Sequence, residues 1–146
     1  MVYSYPYPRP AVTADAVIFR SGDKGPEVLL IRRAHPPFQD CWALPGGFLD
    51  MDETLEECVA RETAEETGLS GLAFEQLEAF SGLDRDPRHR TITIVFVAMA
   101  GADCNAKPGS DAKGAEWFPI AQLPQMAFDH DLVLKKAINK TYPQKP

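Results

Sequence analysis

Cysteine is scarce in this chain, with three residues in 146. Cys41, Cys58 and Cys104 are odd in number and do not fall into the paired spacings that hold zinc. Neither a disulfide framework nor a metal staple therefore organises the fold, and the count agrees with a reducing, cytoplasmic setting. Basic runs are also missing. With a net charge of −6, the chain is a poor partner for a nucleic-acid backbone. Long apolar runs are lacking too. The longest, Ile92 to Ala100, is far short of the roughly 20 residues that a membrane-spanning helix needs, so no membrane partner is expected. The opening MVYSYPYPRP lacks the charged-then-apolar pattern of a leader peptide. There is no internal repeat and no interdomain linker. One domain over residues 1–146 is the natural count, and an apolar share of 45% is enough to bury a core.

What the chain does carry is concentrated between Gly46 and Leu69, in GGFLDMDETLEECVARETAEETGL. Two glycines predict a turn. A helix follows, starting near Glu53 or Thr54 and stopping at Gly68. Thr54 and Glu57 have capping-box spacing, and Gly68 suits the left-handed stop. At about 100° per residue, Leu55, Cys58 and Val59 form an apolar stripe. Toward the C-terminus that stripe runs into Glu62, Glu65 and Glu66. Glu62 and Glu66 are one turn apart on the same face, and Glu65 lies three residues from Glu62. Carboxylates this close repel one another, and each loses hydration where it is part-buried. A hard divalent cation such as magnesium, or manganese in its place, would hold them, with water and substrate phosphates completing its shell. A solvated acidic helix face is the competing reading of the triplet taken alone.

The spacing around these glutamates resembles the signature of the Nudix hydrolases. Gly47, Glu53, Arg61, Glu62, Glu65, Glu66, Gly68 and Leu69 fill its positions. The one departure is Thr63, where the family usually has an aliphatic residue. The threonine methyl can still pack there. The resemblance implies an α/β fold, the Nudix-type α/β/α sandwich with a mixed sheet. It also implies a catalytic set of Glu53, Arg61, Glu62, Glu65 and Glu66. Glu62, Glu65, Glu66 and the Gly46 carbonyl would hold the metal, and the Arg61–Glu53 pair would bridge turn to helix. The general base is left open among Glu65, Asp84 and Asp86.

Elsewhere the sequence predicts strands at Ala11–Phe19, Val28–Arg33, Leu72–Leu83, Thr91–Met99 and Glu116–Pro119. Trp42 begins a short strand into the glycine turn and is read as core. Ile120–Leu123 is read as a helix start. A last helix opens at Phe128-Asp129-His130, with Asp129 as N-cap and His130 mostly on the surface. Residues 1–10, rich in Tyr and Pro, read as an extended segment that docks on the pocket or on a partner subunit, which allows a homodimer. Arg32 and Arg33 are neighbours on a strand and point to opposite faces, so only one can meet a phosphate; Arg32 is the one selected. Arg88 and Arg90 in DRDPRHR can reach anionic oxygens bidentately. His35 reads as an exposed loop residue.

YPRPAVT, the DRDPR segment and the FDH segment resemble the ADP-ribose pyrophosphatase subgroup, although His89 replaces a glycine common there. The resemblance implies a small-molecule nucleotide substrate, ADP-ribose first. Nucleoside triphosphates or other sugar nucleotides are the alternative substrates. A non-catalytic ADP-ribose sensor is the alternative from another class. Relatives of that kind usually carry an added DNA-binding domain and a damaged signature, whereas the signature here is whole and the chain stops after its last helix.

Overall fold

A computed structural model describes residues 2–107 and 112–144. Its frame is a pair of parallel strands, β1 (Ala11–Gly22) and β6 (Thr91–Met99), paired in register from Ala11↔Thr91 to Phe19↔Met99. The intervening elements are β2 (Gly25–Arg33), β3 (Trp42–Ala43), β4 (Gly46–Phe48), helix α1 (Leu55–Thr67) and β5 (Glu75–Phe80). After β6 come β7 (Ala112–Pro119) and helix α2 (His130–Thr141). The strands form one seven-stranded mixed sheet in the order β3-β2-β1-β6-β5, with β7 on β2 and β4 on β1.

Alternation along β1 explains the layers, because successive side chains point to opposite faces of a strand. Ala14, Ala16 and Ile18 pack with Cys58 and Val59 of α1. Val17 and Phe19 pack with Val133, Leu134 and Ala137 of α2. Both faces of β1 are covered, so its apolar run is nearly continuous, as expected of a two-sided strand. This is an α/β/α arrangement with one helix on each face of the sheet.

One feature of β1 shapes the surroundings of Glu62 and Glu66. On a single edge it pairs with β2 over Phe19–Gly22 and with β4 over Thr13–Asp15. Between these stretches the Ala16 N–H donates to the Pro45 carbonyl at 2.8 Å. The edge is thus shared by two strands that diverge from each other. The gap between them opens beneath the C-terminal half of α1.

Several elements differ from the sequence expectation. Gly46–Phe48, read as part of a turn, is a strand, because its backbone completes the edge of β1. β7 begins at Ala112 rather than Glu116. Its first half, AKGA, contains no strong strand former and is held by pairing to β2. β5 spans only Glu75–Phe80, and Ile120–Leu123 is a turn with no helix. α2 begins at His130, and the Asp129 side chain makes no capping bond, since Arg85 engages it. His130 is buried, at 4% exposure, and does not lie on the surface.

α1 is capped as its sequence predicts. The Thr54 side chain accepts from the Glu57 N–H at 3.1 Å, and Glu57 accepts from the Thr54 N–H at 3.0 Å. Gly68 takes φ 76°, and its N–H donates to the Ala64 carbonyl. Thr63 is buried, but its hydroxyl has no hydrogen-bond partner among the described residues. A buried unsatisfied hydroxyl costs on the order of 1–3 kcal/mol. Valine has the same shape and nearly the same helix propensity. Thr63→Val should therefore raise the unfolding free energy by about 1 kcal/mol, read from the urea midpoint at unchanged m-value. A lower midpoint would show that the hydroxyl has a partner in solution.

Candidate active site

The gap between β2 and β4 is the floor of a cavity of about 440 Å³. Glu62 and Glu66 reach it from α1, together with Gly46 and Gly47 of β4 and Asp15 of β1. Glu66 is almost fully buried, and its Oε1 accepts the Gly46 N–H at 2.8 Å. The two glycines are there for close approach. A Cβ on Gly46 would overlap the Asp15 carboxylate and the Ala14 carbonyl, and one on Gly47 would lie 2.5 Å from the Glu62 carboxylate. Glu65 points out of the cavity, with its side chain 58% exposed.

Arg61 ties this wall together. Its Nε donates to Glu53 Oε2 at 2.9 Å and its Nη2 to Glu53 Oε1 at 2.7 Å, a two-pronged contact between helix and turn. Nη2 also donates to the Phe48 carbonyl, and Nη1 to Glu62 at 3.0 Å and Glu65 at 3.3 Å. Glu53 further accepts the Asp50 N–H. The bonds from Arg61 and from that N–H hold the Glu53 carboxyl down to about 2. Glu62 moves the other way. Burial raises its pKa against the pull of the Arg61 guanidinium. Cys58, beneath the same turn, is pushed up to about 12, chiefly by burial, and remains a thiol that points at the Gly47 and Phe48 carbonyls.

The opposite wall is cationic. Arg33, Arg85 and Arg88 line it with Asp86, Phe128 and His130. Asp86 is buried and accepts from the Arg88 side chain and backbone and from the Thr91 hydroxyl. Burial alone would raise its pKa, but the bonds from Arg88 bring it below the usual range. Arg85 forks onto Asp129 at 2.8 and 2.9 Å. Arg33 donates through Nε to the Pro37 carbonyl, and among the described ion pairs it has none. Burial and the neighbouring Arg88 charge lower its pKa. His130 Nδ1 accepts the Leu44 N–H at 3.1 Å, and its Nε2 faces Asp15 at 3.8 Å. Burial lowers the pKa of this imidazole, and an Nδ1 that accepts an N–H carries a lone pair rather than a proton. Asp15 in turn accepts from the Thr93 hydroxyl.

Of the arginine pair on β2, Arg33 reaches the cavity and Arg32 does not. Arg32 lies on the other face, donating to the Asp40 carbonyl, and a register shift separates the two. Arg90 also lies outside the lining, and its Nη1 donates to the Gly82 carbonyl. Asp84 is exposed and away from the cavity. Of the three candidates for a general base, only Asp86 lines the cavity, and its oxygens are engaged by Arg88. His35, read as an exposed loop residue, is exposed and sits at the cavity lining. Asp15, Arg85 and Phe128 reach the site without having been singled out. Arg85 had a signal in the DRDPRHR run, but Asp15 had none within its apolar strand.

Among the described residues, no three acidic, histidine or cysteine groups converge tightly enough to hold a cation unaided. The donor chemistry nonetheless fits a hard divalent ion. The half-buried Glu62 and buried Glu66 carboxylates stand against the backbone of Gly47 and Gly46 in one cavity lining, and such ions complete their shell with water and phosphate oxygens. Arg61 partly neutralises Glu62.

The profile of the NUDIX domain matches residues 9–138. The chain is 45% identical over 130 residues to an ADP-ribose pyrophosphatase from Methanocaldococcus jannaschii, covering 88% of this chain and 73% of that protein. It is 35% identical over 144 residues to the ADPR responsive transcriptional repressor NtrR of Acinetobacter baylyi, covering 92% of this chain and 57% of that one. Among solved structures, a MutT/nudix family protein from Enterococcus faecalis superposes with a TM-score of 0.86 at 34% identity, over 96% of this chain and 65% of that one. The NUDIX domain of Shewanella oneidensis NrtR, complexed with ADP ribose, gives 0.87 at 31% identity, over 94% of each chain.

The Arg61–Glu53 contact makes a prediction about pH. The Glu53 carboxyl titrates at about 2 in the folded protein against an ordinary value of 4.5. Its contribution to stability is therefore complete above about pH 4.5 and is lost as the pH falls toward 2. Melting temperatures of the wild type and Glu53→Gln should differ most above pH 5, and the gap should narrow below about pH 4.5 and close as the pH approaches 2. A gap that stays constant from pH 3 to 7 would show that the charge of Glu53 contributes nothing.

Proposed function

The chain belongs to the NUDIX family, and we propose that it is a metal-dependent pyrophosphatase that cleaves ADP-ribose to AMP and ribose 5-phosphate. The observation that carries this reading is the polarity of one cavity, with the Glu62 and Glu66 carboxylates on one wall and the Arg33 and Arg88 guanidiniums on the other. A diphosphate resists attack because its anionic oxygens repel a nucleophile. A divalent ion, here magnesium, supplies charge neutralisation of those oxygens and a more acidic water when bound. Glu62, Glu66 and the Gly46 carbonyl are the groups that would hold it.

The remaining work falls to the chain itself. Arg61, gripped by Glu53, keeps Glu62 in register with the glycine strand and acts through the carboxylates rather than on substrate. Glu65 stands outside the lining and contributes through Arg61. Arg33 and Arg88 receive phosphate oxygens on the far wall, where charge-assisted bonds are strongest. Water adds to one phosphorus, the bridging P–O bond breaks, and the second phosphate leaves with its oxygen. The free state of Cys41, Cys58 and Cys104 suits a cytoplasmic setting, and no described helix is long and apolar enough to cross a membrane. Exposed Tyr3, Tyr5 and Tyr7 offer the surface for a homodimer contact within this proposal.

A second reading, an ADP-ribose sensor, is favoured by the similarity to the NtrR repressor. The two differ in turnover. With magnesium, the protein should hydrolyse ADP-ribose and leave oxidised dGTP intact, and EDTA should stop the reaction. Glu66→Gln should lower kcat roughly a thousandfold, equivalent to about 4 kcal/mol, with the melting curve still cooperative. Arg61→Lys should cost about 10–100-fold, as expected for a group that orients ligands. Pyrophosphate release from oxidised dGTP with ADP-ribose untouched would overturn the substrate. Tight ADP-ribose binding without any turnover would establish the sensor.

A further inference from the structure

Phe128 has φ 53°, in the left-handed region. Bulky side chains adopt that conformation only where the surroundings enforce it, and such outliers gather at functional sites. Its surroundings are specific. The ring meets Phe38, itself at φ 58°, with centroids 4.9 Å apart, and His130 at 5.4 Å. It also meets two cations. The Arg33 guanidinium carbon lies 4.9 Å from the ring centroid and that of Arg88 lies 5.6 Å away, both within cation–π range. Arg88 is in turn 5.3 Å from the Phe48 ring. Arg33, Phe128, Arg88 and Phe48 thus alternate cation and ring across the cavity lining.

Two like charges on one part-buried wall repel, and the lowered pKa of Arg33, caused by burial and by Arg88, reflects this. Asp86 compensates Arg88. Among the described residues, the hydrogen bond that Arg33 makes is to a carbonyl, through its Nε. We propose that Phe128 is a positioning residue whose ring fixes the spacing of the Arg33 and Arg88 guanidiniums, so that the pair closes on one phosphate-type anion. The ring attracts both cations and keeps them from splaying apart before substrate arrives. The strained backbone at Phe128 is the means by which the ring, one residue before the Arg85-bound Asp129, is turned into the cavity rather than away from it. The identity of the anion as part of a nucleotide rests on the functional reading above. The spacing role does not.

The test uses the full chain, without metal, and inorganic pyrophosphate as the probe. Guanidinium Nε–H resonances of Arg33 and Arg88 are followed by nitrogen-detected magnetic resonance as pyrophosphate is added. Both should shift on a single saturation curve in the wild type. Phe128→Leu keeps apolar bulk but removes the π face, and it should weaken that curve about tenfold. Phe128→Tyr should restore it to within about threefold. Phe128→Gly relieves the left-handed strain and should weaken pyrophosphate binding while losing less thermal stability than Phe128→Leu does relative to the side-chain bulk removed. Equal pyrophosphate affinity in the wild type and Phe128→Leu, with only the melting temperature lowered, would overturn the proposal, as would a wild type in which neither arginine responds. If these signals behave as expected but ADP-ribose is not hydrolysed, the clamp stands and the substrate reading fails. If ADP-ribose is hydrolysed with the same KM by Phe128→Leu, the reading stands and the clamp fails.

Discussion

Like charges must be held together in the low-dielectric floor of one cavity, and most of the site is arranged around that constraint. Glu62 and Glu66 project from adjacent turns of α1 into the split between β2 and β4. Burial raises the pKa of Glu62, which is the direct sign that its charge is costly there. Two devices keep the carboxylates in place without an ion. Arg61 spreads its donors over Glu53, Glu62, Glu65 and a backbone carbonyl. The Gly46 N–H donates to Glu66. Charge-assisted bonds of this kind are about twice as strong as neutral ones, and an arginine fork fixes direction as well as distance.

That arrangement also explains why helix and strand are inseparable here. Glu53 lies before α1 and Arg61 within it, so their contact anchors the turn to the helix. The backbone of β4 then passes close under Glu62, and a side chain at position 47 would push the Glu62 carboxylate out of its place. β4 can occupy that place because β1 releases β2 beyond Phe19 and accepts β4 over Thr13–Asp15. A divergence in the sheet thus creates both the volume of the cavity and the edge on which the glycine strand is held. It parallels the general tendency of α/β sheets to bind ligands where neighbouring strands part.

The cavity is two-signed within a net-acidic protein. Its two facing glutamates come from a single helix, whereas its cationic wall is assembled from the end of β2, the segment before β6 and the start of α2. Each arginine of that wall is held differently: Arg85 by Asp129, Arg88 by Asp86, and Arg33 by a carbonyl and a ring. The buried, neutral His130 closes the floor between Leu44 and Asp15. The anionic groups of a ligand entering such a space meet cations already held by neighbouring residues, which is where preorganised electrostatics are most effective.

The sequence by itself determined the elements whose signals are local. The Thr54 capping box, the Gly68 stop, the apolar stripe of α1 and the strand at Thr91–Met99 follow from neighbours within a few residues, and the structure has them where the residues say. The order of glutamates along α1 is equally local, so the helix face carrying them was legible. Only the tertiary structure decided which of those glutamates face inward: Glu65 points to solvent although its position along the helix differs little from that of Glu66. It also decided that Arg33 and not Arg32 meets the cavity, because strand alternation leaves the choice of face open until the sheet is assembled. β7 exists as a full strand because β2 offers its edge, and His130 is buried because α2 packs against β1. Asp15 comes to line the cavity because β4 leaves the edge of β1 beside it. Each of these depends on contacts between residues far apart in the chain, and no periodicity or local propensity records them.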